Sequence, residues 1–84
     1  MTTRETRLCK AVLQAAHDGE GRQFDEITLH SDANLITRMT ATEFDVALAI
    51  CDSRRWLTGV AGRHNPNRKL WNINDRGEAA LTEL

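Results

Sequence analysis

The chain has 84 residues, 40% of them hydrophobic and 27% charged, which describes one small globular domain burying roughly 60–65% of its unfolded surface. No apolar run approaches the ~20 residues that span a bilayer, and no signal-peptide pattern opens the chain, so a cytoplasmic protein without a membrane partner is expected. A net charge of −1 lacks the strongly basic footprint of a typical nucleic-acid binder.

The first helix opens at Thr2 or Thr3, and Thr2 with Glu5 makes a capping box. Leu8, Ala11, Val12 and Ala15 form its buried stripe, and Arg7, Lys10, Gln14 and His17 its solvated one. Gly19 is a natural C′ residue, so this helix is expected to end near His17 or Asp18. Glu26-Ile27-Thr28-Leu29 reads as a short strand, because Ile and Thr favour one. A short helix from Asp32 to Arg38 follows, with Leu35, Ile36 and Met39 as its apolar residues.

Met39 to Val60 is the stretch around which the rest is expected to be arranged. Thr40 and Glu43 make a second capping box, and Met39 and Phe44 are placed as a hydrophobic staple. The helix Ala41–Ser53 carries Phe44, Ala47, Leu48 and Cys51 on one stripe. Its outward face is then Thr42, Asp45, Val46, Ala49 and Ser53, with Asp52 at the edge and Ile50 adding to its apolar character.

Two strands follow, Trp56–Val60 and Lys69–Ile73, joined by a loop with Gly62, Asn65 and the chain's one proline, Pro66. They form an antiparallel hairpin in which Trp56 and Trp71 are expected to pair or to pack into the core. Asp75 then caps a last helix. The expected core is Leu8, Val12, Ala15, Phe44, Leu48, Leu57, Trp71, Ile73 and Leu81.

Helix, short strand, short helix, capped helix, hairpin, closing helix is an order that resembles the winged helix-turn-helix fold. The likeness rests on residues 39–84, above all on Leu70-Trp71-Asn72-Ile73 leading into Asn74-Asp75-Arg76-Gly77. Thr42-Glu43-Phe44-Asp45-x-Ala47 with Trp56-Leu57-x-Gly59-Val60 after it also resembles the small YjcQ-like winged-helix proteins. The expected class is therefore α+β: a three-helix core, a two-stranded wing with a third short strand, and a C-terminal helix.

Chemistry of the catalytic kind has little support. The three histidines are scattered, and Cys9 and Cys51 have no C-x-x-C or H-x-x-x-H around them. No enzyme activity, metal or cofactor is expected, and the cysteines read as buried, reduced thiols.

Charge separates two functions. Residues 1–53 carry nine acids and five bases, and residues 54–84 three acids and six bases. In a winged helix the second helix of the helix-turn-helix enters the major groove. Here its outward face has no Arg, Lys, Asn or Gln to read base edges, and it has acids. The wing is the opposite: Arg54, Arg55, Arg63, Arg68 and Lys69 are placed to follow phosphates. The winged-helix resemblance implies a transcription-regulator-like module on double-stranded DNA, which is the leading reading. A protein-interaction or dimerisation module using Val46, Ala49 and Ile50 is the alternative. A weak or moderate homodimer is expected, built from the first or last helix with help from Val46, Ala49 and Ile50.

Overall fold

The computed structural model describes residues 1–65 and 68–84, and Pro66 and Asn67 of the expected hairpin loop lie outside the described residues. Four helices run Thr3–Asp18 (α1), Glu26–Ile36 (α2), Ala41–Ser53 (α3) and Asp75–Glu83 (α4), with strands Leu57–Ala61 (β1) and Lys69–Ile73 (β2) between α3 and α4. The result is a small α+β fold with an antiparallel pair in which Leu57 faces Ile73, Gly59 faces Trp71 and Ala61 faces Lys69.

The element at the centre is α1, not the α3–β1 stretch. It packs against α2, α3, α4 and β2. Beyond the expected stripe it also buries Cys9, Leu13 and Ala16, a face too wide for a helix with only one neighbour. Its start is the expected capping box, with Thr2 Oγ1 accepting the Glu5 N–H at 3.0 Å. Its end is also as expected, at Asp18; Gly19 after it is right-handed at φ −76°, and the left-handed positions are Glu20 and Gly21.

The second element corrects the sequence. Glu26–Leu29 is the first turn of α2 and not a strand. Asp25 Oδ1 accepts the Thr28 N–H at 2.8 Å, and this cap outweighs the β preference of Ile27 and Thr28. Strand pairing survives at one residue only, Phe24, which exchanges two backbone hydrogen bonds with Trp71 at 2.8 and 2.7 Å. Starting the helix at Glu26 changes its register. Leu29 and Ala33 go inside, while Leu35 is left 85% exposed and Ile36 is also on the surface.

The turn from α2 to α3 is Thr37–Thr40. The Asn34 side chain accepts the Met39 N–H at 2.8 Å. His30 Nε2 lies 3.2 Å from the Met39 carbonyl, and its ring stacks on Phe44 with centroids 4.8 Å apart. His30 is thus a bracing residue. The expected α3 forms over its full length with both halves of its capping box, at 3.1 and 3.0 Å. Arg4 reaches over from α1 to Glu43 and to the Arg38 carbonyl.

Every expected core residue is buried except Leu81, which is half-buried against the others. Trp56 precedes β1 and does not pair with Trp71. Trp71 lies opposite Gly59 instead, where an added Cβ would come within 2.8 Å of the indole. Cys9 and Cys51 are buried free thiols. The neighbouring Cys9 thiol, then burial, pushes the Cys51 thiol up, which keeps it protonated and unreactive.

His17 on α1 and Glu78 on α4 meet at 2.7 Å. The hydrogen bond to Glu78, then its charge, raises the His17 pKa. A raised folded-state pKa gives stability that is complete below the unfolded value and is lost as pH rises through the folded one. Melting curves taken between about pH 6 and 8 should therefore show wild type losing its advantage over His17→Gln as pH rises. A difference between the two that does not change with pH would mean that the pair does not form.

Candidate interaction surface

The cations named from the sequence divide into two groups. Arg54 is the C-cap of α3, and its guanidinium lies 5.5 Å from the Trp56 ring centroid. Arg55 follows at φ 60°. Its N–H bonds to Asp52 and that of Trp56 to Cys51, a Schellman ending with Arg where Gly is usual. The Asn74 side chain holds this turn, donating to the Arg55 carbonyl at 2.9 Å and to Thr58 at 3.1 Å, while its oxygen caps α4. Asn74, not Asp75, is therefore the cap. Arg76 from α4 joins Arg55 around the same shallow depression. Arg76 is not among the expected cations, because in the sequence that stretch reads as a cap and a fold signature.

The second group is at the far end of the hairpin. Arg63 is exposed. Arg68 is ion-paired with Asp25 at 2.7 Å. The Thr28 N–H and, less strongly, the charge of Arg68 hold the Asp25 carboxyl below its usual range. Lys69 lies 5.4 Å from the Trp71 ring centroid.

A cleft of about 640 Å³ runs between α2, α3 and the hairpin. Its apolar surface comes from Ile27, Leu48, Ala49 and Trp71, and its charged rim from Glu26, Asp45 and Asp52 on one side and Arg68 and Lys69 on the other. Among the described residues no ion pair takes up Glu26, Asp45 or Asp52. The sequence placed Asp45, Ala49 and Asp52 on this face. It missed Glu26 and Ile27, although Asp25-Glu26 is a helix-start signal. Val46 and Ala49 are exposed as expected, whereas Ile50 is half-buried and packs on the core.

Among the described residues no three of His, Cys, Asp and Glu group as a metal site, and no helix is long and apolar enough to cross a membrane. Comparison with family models, with curated proteins and with solved structures finds no match to this chain.

Proposed function

We propose that the chain is a winged-helix domain serving as a protein-interaction module, with the outward face of α3 as its contact surface. The winged-helix assignment is supported by the order of elements, by the short α2–α3 turn, and by Phe24 pairing with the second hairpin strand. The observation that carries the interaction reading is the composition of the α3 face. Asp45, Val46, Ala49 and Asp52 point outward, and Glu26 of α2 extends the acidic rim. Such a face repels phosphates and offers no bidentate donor to a base. Self-pairing belongs to this proposal only through α1 or α4. A two-fold contact through α3 would set its acids against their own copies.

One observation favours the second reading, DNA binding by cations. Arg55 holds a left-handed conformation that costs on the order of 1 kcal/mol for a residue other than glycine. Conformations of this kind persist more often where the side chain has a use. Fluorescence anisotropy of mixed duplexes at ~50 mM salt separates the readings, since electrostatic attraction is greatest there. No binding is expected at tens of micromolar protein. Binding with a log–log salt slope near −4.5, the value for about five neutralised phosphates, would overturn the interaction reading in favour of Arg54, Arg55, Arg63, Arg68 and Lys69.

A further inference from the structure

We infer that the cleft between α3 and the hairpin receives a basic amphipathic segment of a partner protein. The inference rests on the interaction reading and names the chemistry of the occupant.

Charge complementarity selects it. Glu26, Asp45 and Asp52 line the rim without an ion pair among the described residues, while on the opposite rim Arg68 is matched by Asp25 and Lys69 lies over the Trp71 ring, which leaves three carboxylates against one cation. The cleft therefore offers carboxylates in excess. Beside them in the cleft are the exposed apolar residues Ala49 and Ile27, the latter 76% exposed. A segment with aliphatic residues on one face and Lys or Arg beside them satisfies both features.

Trp71 adds a second observation. It lines the cleft and is 3% exposed. Its indole N–H is the one buried polar side-chain atom among the described residues without a hydrogen-bond partner. Its place in the cleft wall makes that N–H a reporter of what enters the cleft.

The probe is a Leu/Lys amphipathic helical peptide of about 14 residues, titrated at ~150 mM salt to limit weak surface attraction. Its controls are the Leu/Glu and Leu/Ser versions and a DNA duplex. The readout is the pair of indole N–H resonances. A saturable shift of Trp71 with Trp56 unmoved is expected, with affinity weakened about tenfold in Asp45→Asn/Asp52→Asn, two exposed positions where the melting temperature is expected to stay that of wild type. Equal shifts with the Leu/Glu or Leu/Ser peptide would overturn the basic occupant while leaving an interaction face. No shift with any peptide would overturn the inference. Duplex binding in its place would overturn the interaction reading as well.

Discussion

Phe44→Ala should lower the melting temperature by about 15 °C or more, since losses of roughly 3–5 kcal/mol are usual for buried Phe and each kilocalorie shifts a domain of this size by roughly 4–8 °C. Phe44 is 2% exposed on the inner stripe of α3. It carries the stacked His30 ring, which in turn meets the Met39 carbonyl at the start of α3. Removing the phenyl ring leaves a cavity and takes away the surface that orients His30. The cavity cannot collapse easily, because α1 on the far side is held by its own contacts with α2, α4 and β2. A small domain has about 0.05–0.15 kcal/mol of stability per residue, so this loss takes up much of the total. Urea titration measures it directly, and a midpoint equal to wild type would show that the α2–α3 contact does not depend on the ring.

Gly77→Ala is expected to be nearly as damaging, at the upper end of the roughly 1–3 kcal/mol typical of overpacking. A methyl group is ordinarily favoured over glycine inside a helix, so the expected sign is opposite to propensity. The reason is contact. A Cβ at this position would run into the Trp56 carbonyl oxygen and come within 2.7 Å of Ile73 Cγ1. Neither can retreat: Trp56 is held through its N–H by Cys51, and Ile73 is paired with Leu57 in the sheet. The methyl would push α4 away from β1, weakening the Gly77 bond to Asn74 at 2.9 Å and with it the brace on the Arg55 turn. Thermal unfolding of Gly77→Ala beside Ala79→Gly, at an exposed position of the same helix, isolates this effect. A Gly77→Ala protein as stable as wild type would mean that α4 sits further from Trp56.

The elements that were legible have local causes. Both capping boxes lie within four consecutive residues, and the α1 and α3 stripes repeat with the helical period. The hairpin follows from two β-rich runs around a Gly/Asn/Pro loop, and β1 is displaced by one residue from its expected start. Misreadings occur where two local signals compete. At residues 24–29 the strand preference of Ile27 and Thr28 opposes the cap at Asp25. The cap prevails because it also turns Leu29 and Ala33 toward α1.

The sequence by itself determined the helical stripes, the α+β class, the acids on the outward face of α3 and the concentration of cations after Ser53. These are properties of spacing and order, and they require no knowledge of what each face meets. Tertiary structure alone decided that α1 is the central element, that Arg68 is matched by Asp25, that Arg76 lies beside Arg55, and that Glu26 and Ile27 join α3 in one cleft. Each of these is a meeting of residues far apart in the chain, and such meetings follow from how the elements pack. The charge of a segment is therefore readable from its residues, but which charges remain available to a partner depends on the contacts that folding has already made.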